Sequence, residues 1–250
     1  MRILALLALF ALLTGCVTTE SGNLPKPKPA DERVQAHLDL ARGYLEKRDV
    51  MKARRPLEQA LEIDPTSVEA NVLMAAVYQV EGEYKLADES YRRALRYGPD
   101  SAMARNNYGS YLYSQGRYED ARKQLLVAAK DTTYAARAQV YENLGLAEVK
   151  LALMDDAEKS FQRALMLNSN QARSMLELAD LYFARGTYPA AKQYYDSYTR
   201  AARQSARSLW LGIRLARVFD DQNALASYAL ALKNLYPGTE EYRRYEESLK

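Results

Sequence analysis

The chain of 250 residues contains one cysteine and one histidine, and this scarcity excludes several kinds of site. A single cysteine cannot form an internal disulfide or a cysteine-clustered zinc site. A single histidine excludes multi-histidine metal sites and disfavours catalytic schemes that need a spare imidazole. The charge is nearly balanced, with 35 Lys and Arg against 32 Asp and Glu, which argues against a general nucleic-acid binder. The composition therefore favours a binding or scaffolding protein over an enzyme.

The N-terminus has the pattern of a secretory signal peptide. Arg2 precedes an apolar run from Ile3 to Leu13, and small residues follow the run. The run is too short to cross a bilayer as a helix, which needs about 20 residues. We therefore assign residues 1–15 to a signal peptide and expect an exported protein.

The end of this segment, Leu-Thr-Gly-Cys at 13–16, resembles a bacterial lipobox. The resemblance implies cleavage before Cys16, diacylglycerol on its thiol and an N-acyl chain such as palmitate on its new amino group. These acyl chains are the only covalent groups we expect, and we expect no cofactor or metal. Two chains already hold a protein stably on a membrane. The alternative is an ordinary signal peptide followed by a coincidental cysteine.

A linker is predicted to follow the lipidated cysteine, over residues 16–33. Its centre, Pro-Lys-Pro-Lys-Pro at 25–29, favours an extended chain and disfavours helix. Position two of the mature chain is Val17 and not the Asp that tends to retain lipoproteins in the inner membrane. The prediction is therefore a lipid-anchored protein on the periplasmic face of the outer membrane.

Beyond residue 33, small residues recur about every 34 positions. One set occupies position eight of each copy: Ala41, Ala75, Gly109, Gly145, Ala179 and Gly212. A second set occupies position twenty: Ala53, Ala87, Ala121, Ala157, Ala191 and Ala224. Small side chains at these two positions allow paired helices to approach closely, and Leu or an aromatic residue at position twenty-four fills the space beside them. Gly82, Gly116 and Gly186 lie between the paired helices, where a left-handed cap is easiest without a Cβ.

This pattern resembles the tetratricopeptide repeat, a helix–turn–helix unit of 34 residues. The resemblance implies an all-α fold, a right-handed superhelix of about six repeats over residues 34–238, in which each repeat shares its core with its neighbours. The predicted repeats are 34–67, 68–101, 102–137, 138–171, 172–204 and 205–238. A polar helix is predicted in residues 239–250, covering the last repeat. Nothing in the sequence demands more than a monomer.

In tetratricopeptide folds the first helix of each repeat lines a concave surface. Counting the corresponding positions gives fifteen residues, which we call the predicted groove: Val72, Ala76, Gln79, Asn106, Asn107, Ser110, Tyr113, Gln139, Glu142, Asn143, Leu146, Arg173, Leu176, Asp180 and Phe183. Amides in such a groove can bond both the N–H and the C=O groups of an extended peptide. The alternative is that these amides bond neighbouring helices. Trp210 likewise has two interpretations, packing within repeat six or exposure as a partner patch.

The lipobox, linker and six repeats in this order are similar to the PilF/PilW family of type IV pilus biogenesis lipoproteins. The segments that carry the resemblance are 57–65, 106–109, 141–146 and the stretch 206–219 around Trp210. The resemblance implies a pilotin, which binds the type IV pilus secretin and promotes its outer-membrane localisation and multimer assembly. Such a protein is needed for pilus biogenesis and twitching motility, and it has no enzymatic activity, nucleic-acid partner or small-molecule substrate.

Two other roles fit the same layout. One is a lipid-anchored periplasmic adaptor for outer-membrane protein insertion or for peptidoglycan enzymes, and the other is a general scaffold. The sequence leaves open which secretin segment would bind and which face of the superhelix would bind it.

Overall fold

The computed structural model describes residues 29–250, so the predicted signal peptide and Cys16 lie outside the described residues. Residues 29–250 contain helices and turns without a strand, which confirms the all-α fold class. The thirteen helices of this range are α1 Ala30–Glu46, α2 Val50–Ile63, α3 Val68–Glu81, α4 Tyr84–Tyr97, α5 Ala102–Ser114, α6 Tyr118–Ala128, α7 Arg137–Lys150, α8 Met154–Leu167, α9 Ala172–Ala184, α10 Tyr188–Ala201, α11 Ala206–Val218, α12 Gln222–Leu235 and α13 Glu240–Glu247. None of these helices is both long enough and apolar enough to cross a membrane.

The first helix begins four residues earlier than the sequence pattern placed it. Residues 30–33 were assigned to the linker, and that boundary is wrong because they form the first turn of α1. Pro29 occupies the N-cap, and its carbonyl accepts the first helical hydrogen bond from the Arg33 N–H at 3.1 Å. Asp31 and Glu32 stand in the first turn, where negative charge is favoured by the helix dipole. Proline therefore marks the start of this helix.

Helices α1 to α12 form six antiparallel pairs, α1 with α2 through α11 with α12. The second helix of each pair also packs against the first helix of the next pair. The buried residues accordingly form a series of clusters, each shared between neighbouring pairs. Each pair therefore depends on its neighbours for burial, as in other repeat proteins.

In the third, fourth and sixth pairs the close approach of the two helices depends on a glycine at position eight. A Cβ on Gly145 would lie 2.6 Å from the ring of Phe161, and one on Gly109 would lie 2.7 Å from the side chain of Leu125. Phe161 and Leu125 are the position-twenty-four residues of the same pairs, and both are fully buried. The small residue and the large one therefore fit together across each pair.

The turns between paired helices use the left-handed backbone region. Gly82, Gly116 and Gly186 have φ of 81°, 74° and 74°, as the sequence predicts. In the first, fourth and sixth pairs the left-handed residue of the turn is not a glycine. Arg48, Ala152 and Asp220 have φ of 58°, 58° and 53°. The left-handed turn is therefore common to both groups, whereas glycine is not.

The last helix, α13, covers part of the final pair. Its Tyr242 and Tyr245 pack against a buried cluster that contains Leu209, Ile213 and Leu232. None of the residues of α13 is itself buried. The helix is a thin cap over α11 and α12.

Candidate partner-binding groove

The fifteen residues of the predicted groove fall into two groups by exposure. Ten are at least partly exposed: Ala76, Gln79, Asn107, Ser110, Tyr113, Gln139, Asn143, Arg173, Asp180 and Phe183. The other five are buried among the helices: Val72, Asn106, Glu142, Leu146 and Leu176. The five buried residues pack beneath the groove surface. Only the ten exposed residues are available to contact a partner.

The amides at the centre of the groove bond one another across two helix pairs. Gln139 of α7 donates from Nε2 to the Oδ1 of Asn143 at 3.2 Å. Asn143 in turn donates from Nδ2 to the Oδ1 of Asn106 on α5 at 3.1 Å. This chain of amides joins α7 to α5, so a structural role for these residues is present whether or not a partner binds them.

Glu142 continues this polar layer towards the next pair. Its carboxylate accepts hydrogen bonds from the N–H of Ser174 at 3.1 Å and from the Ser174 hydroxyl at 2.9 Å. Ser174 stands in the first turn of α9, where backbone N–H groups lack helical partners. Glu142 therefore ties α7 to the N-terminus of α9.

Asn107, Ser110 and Tyr113 form an accessible polar part of the groove on a single helix. Ser110 is exposed, and Asn107 and Tyr113 are half-buried on the same helix, α5. The Asn107 Nδ2 donates to the carbonyl of Met103 at 2.8 Å, a hydrogen bond within α5. Asn107 and Ser110 can bond a peptide backbone without breaking a hydrogen bond between helix pairs, whereas Tyr113 also packs against the buried cluster of α7 to α9.

At the other end of the groove four charged side chains form what we call the ionic cluster: Glu177, Asp180, Arg207 and Arg214. Arg207 of α11 donates two parallel hydrogen bonds to the Glu177 carboxylate, at 2.7 and 2.8 Å. It also donates from Nε to Asp180 at 2.9 Å, and Arg214 donates to the other oxygen of Asp180 at 3.1 Å. The cluster joins α9 to α11, as Glu142 joins α7 to α9.

Arg214 connects the ionic cluster with aromatic groups. Its guanidinium carbon lies 4.5 Å from the ring centre of Phe183 and 5.6 Å from that of Trp210. Trp210 is half-buried and contacts the cluster beneath α13, so it contributes to packing and keeps part of its ring accessible. Phe183, Arg214 and Trp210 thus form a cation–aromatic stack at the edge of the groove.

Burial and mutual pairing both shift the pKa values of the side chains in the ionic cluster. Burial raises the pKa of Asp180, although Arg207 and Arg214 oppose that rise. Hydrogen bonding to Glu177 raises the pKa of Arg207, while burial lowers the pKa of Arg214. Attraction between the paired charges therefore offsets the free-energy cost of removing them from water.

Counting repeat positions missed three members of this cluster: Glu177, Arg207 and Arg214. A signal for them exists in the sequence, because oppositely charged residues recur at about one repeat length. Arg207 and Asp180 are 27 residues apart, and Arg214 and Asp180 are 34 apart. The same 27-residue spacing joins Arg42 to Glu69 and Arg54 to Glu81. Such pairs bridge adjacent repeats and could have been sought once the repeat period was known.

Comparison with known proteins agrees with the architecture. Residues 72–138 and 142–206 match the family model of the tetratricopeptide repeat. The chain is 47% identical over 244 residues to the type IV pilus assembly protein PilF of Pseudomonas aeruginosa, with 97% of each chain covered.

Two solved structures are also similar. A structure from the functional characterisation of Pseudomonas aeruginosa pilF superposes with a TM-score of 0.86 at 46% identity, over 88% of this chain and all of that one. The type IV pilus biogenesis factor PilW superposes with a TM-score of 0.74 at 28% identity, over 85% of this chain and 97% of that one.

The fold and the repeat match define a tetratricopeptide repeat protein. Sequence identity with PilF over nearly the whole of both chains identifies the family within this class of repeat proteins. The chain belongs to the PilF family of type IV pilus assembly proteins, which confirms the family predicted from the sequence.

Proposed function

We propose that this protein is an outer-membrane lipoprotein pilotin. In this role its repeats bind the type IV pilus secretin, and acyl chains on Cys16 hold the complex at the periplasmic face of the outer membrane. The observation that carries the proposal is the 47% identity with PilF over 97% of both chains. The lipobox-like segment at 13–16 supports the anchor.

The proposed mechanism is tethering without a chemical step. Acyl chains confine the protein to a membrane surface, and each protein confines the secretin subunit that it binds. Confinement raises the local concentration of subunits, which favours assembly of the multimer. The repeat array suits this role because paired helices present a long surface that a partner segment can follow.

Within the predicted groove, the exposed side of α5 is the part we assign to the partner. Asn107 and Ser110 offer polar groups that form no hydrogen bond to a neighbouring pair within the described residues, and Tyr113 adds a half-buried ring that also packs against the cluster of α7 to α9. Asn143 extends this surface onto α7, although it also bonds Asn106. A segment bound here would lie across the middle of the repeat array.

The anchor is tested by mass spectrometry of the mature protein and by Cys16→Ser. We expect a mature N-terminus at Cys16 carrying acyl chains, and a Cys16→Ser variant that is unprocessed or no longer fractionates with membranes. Fractionation of Cys16→Ser with membranes like the wild type would overturn the anchor assignment.

The secretin role is tested by deleting the gene and restoring it with variants. We expect the deletion to lose secretin multimers and twitching motility, and the wild-type gene to restore both. The double variant Asn107→Ala and Asn143→Ala should bind secretin less tightly while keeping its helical content. Its matched control is Asn223→Ala with Asn234→Ala, two exposed amides on α12.

Two outcomes would contradict this assignment. Unaltered secretin affinity in the Asn107 and Asn143 variant would reject the groove. Normal secretin multimers and motility in the deletion strain, with defective barrel insertion or cell shape, would instead support a periplasmic adaptor.

A further inference from the structure

The first helix of the array has an outward side that nothing covers within the described residues. In the later pairs, position seven of the first helix packs against the second helix of the preceding pair. Its occupants are all buried: Met74, Tyr108, Leu144, Leu178 and Leu211. Leu40 occupies this position in α1 and is 48% exposed. Beside it Ala36 is exposed, and a Cβ on Gly43 would meet no atom within 4 Å.

Cationic side chains stand at both ends of this apolar strip. Arg33 and Lys47 lie seven residues before and after Leu40, two helical turns in each direction, and therefore on the same side of α1. Both are exposed. Acidic residues border one side of this strip: Glu32, Asp39 and Glu46 lie about 100° round the helix from Arg33, Leu40 and Lys47 and next to Ala36 and Gly43, and Asp39 is paired with Arg42. Asp31 lies on the opposite side of the helix from Leu40.

The turn from α1 into α2 also carries exposed cationic and apolar side chains. Met51 is 73% exposed near the start of α2, at a surface position that Lys85, Glu119 and Asp155 occupy in other repeats. Arg48 before it and Arg55 after it are exposed, and Lys52 pairs with Asp49. Within residues 29–250, no carboxylate forms an ion pair with Arg33, Lys47, Arg48 or Arg55. We call this surface the end face, and it comprises Arg33, Ala36, Leu40, Gly43, Lys47, Arg48, Met51 and Arg55.

We infer that the end face rests on a bilayer surface that contains anionic phospholipid. An apolar strip flanked by cations is the pattern of a protein surface that inserts shallowly between headgroups. The inference rests on the proposed lipid anchor, because Cys16 lies thirteen residues before Pro29 and can be at most about 45 Å from the start of α1. The anchored chain therefore holds the end face close to lipid.

A second copy of the chain fits this face less well. Stacking of copies would require α1 of one molecule to pack on the last pair of another. That surface already carries α13, whose Tyr242 and Tyr245 contact the cluster under α11 and α12. With the end face on lipid, the successive helix pairs extend away from the bilayer, and the groove between α5 and α9 stays clear of it.

The test uses the lipidated mature protein in vesicles and a single introduced thiol. Cys16 is the only natural cysteine, and acylation blocks it, so Leu40→Cys provides the only free thiol for an environment-sensitive fluorophore. The matched control is Leu235→Cys on α12, where the native side chain is 66% exposed. Vesicles contain phosphatidylcholine alone or with roughly a third of phosphatidylglycerol, and brominated lipid serves as the quencher.

We expect the label at position 40 to shift to the blue and to be quenched in the anionic vesicles, and the label at 235 to stay in water. Replacing Arg33 and Lys47 by Gln should lower the ratio of quenched to unquenched label about fivefold for each cation removed. Raising the salt concentration should lower the same ratio progressively. The control pair Lys233→Gln and Arg243→Gln removes the same charge at the far end of the array and should have no effect.

Each failure has its own signature. If the label at 40 stays in water in both vesicle types while the protein floats with them, the anchor stands and the end face is rejected. If labelling finds two thiols, Cys16 is not acylated and the proposed anchor fails. Flotation with anionic vesicles alone would then still support the end face, and its absence would reject it. Protection of the labels at 40 and 235 without vesicles, growing with protein concentration, would show stacking of copies instead.

Discussion

Single residues in the turns between paired helices carry backbone strain in half of the repeats. Ala152 has φ of 58° in the turn between α7 and α8, at the position where Gly116 stands in the preceding repeat with φ of 74°. A non-glycine residue in this region costs about 1–2 kcal/mol, because its Cβ crowds the backbone. The neighbouring repeats show that the turn itself suits glycine.

We therefore expect Ala152→Gly to raise the free energy of unfolding by about 1 kcal/mol, less than the full strain because glycine also frees the unfolded chain. Urea denaturation followed by circular dichroism measures the change. Ala226→Gly, at an exposed position within α12, is the control and should lower stability by about the same amount. A loss of stability in Ala152→Gly would contradict the strain argument.

A second residue-scale effect is the dependence of Glu158 on its hydrogen bonds. The hydroxyl of Tyr182 donates to Glu158 Oε1 at 2.6 Å, and Arg185 also donates to this carboxylate. The Tyr182 bond, followed by Arg185, lowers the pKa of Glu158 below its ordinary value of 4.5, despite an opposing effect of burial. Burial first, and Glu158 second, raise the pKa of Tyr182 to about 12.

The sign of the pH dependence follows from the lowered pKa. The ionised Glu158 contributes its full stability above about pH 4.5, and the contribution is lost as the pH falls through its lower pKa in the folded state. We expect Glu158→Gln to be about 1 kcal/mol less stable at pH 7 and nearly equal to the wild type near pH 2. Paired urea titrations at the two pH values measure this, with Tyr182→Phe as a partner variant of the same trend. A constant difference across pH would show that the carboxylate charge is irrelevant.

Among the helices, the fit of a small residue against a large side chain sets the spacing of each pair, and in three pairs that small residue is glycine. Glycine within a helix ordinarily costs about 1 kcal/mol relative to alanine. At Gly145 the neighbouring ring of Phe161 leaves no room for a Cβ, whereas at Gly43 the space is open. The same substitution should therefore change stability in opposite directions at the two sites.

We expect Gly145→Ala to lower the free energy of unfolding by about 1–3 kcal/mol through overpacking, and Gly43→Ala to raise it by up to about 1 kcal/mol. Both residues lie in helix interiors, so each variant is the control for the other. Thermal and urea unfolding give the two changes. Stabilisation by both substitutions would mean that the α7–α8 pair separates at little cost.

The sequence predicts the helix pairs better than the polar contacts between them, for a physical reason. Close packing restricts position eight to Gly or Ala in every copy, so residues such as Gly109 and Gly145 reveal the repeat period in the sequence. A hydrogen bond such as that from Asn143 to Asn106 depends instead on the rotation of two helices 37 residues apart. The residue types alone do not predict how each helix is rotated about its axis. For the same reason the sequence did not predict that Glu142 and Asn106 are buried.

At the scale of the whole molecule, each helix pair packs mainly against the pairs next to it, and the two ends of the array differ. Buried residues form successive clusters from α1 to α12, and each cluster covers at most three consecutive pairs. Among the paired helices α12 is the least well covered, since Leu232 is its one buried residue. Stability in such an array is approximately a sum over pairs and their interfaces, so a local change should have a local effect.

Removal of α13 tests this view directly. A chain that ends at Gly238 loses Tyr242 and Tyr245, which cover Leu209, Ile213 and Leu232. Because those contacts belong to the last pair alone, we expect amide hydrogen exchange in α11 and α12 to accelerate about tenfold or more, equivalent to a loss of roughly 1.4 kcal/mol. Exchange in α1 to α6 should keep its wild-type rate, and the distant helices serve as the internal control. Equal acceleration in all helices would show that the array opens as one cooperative unit, and the nearest-neighbour description would then be wrong.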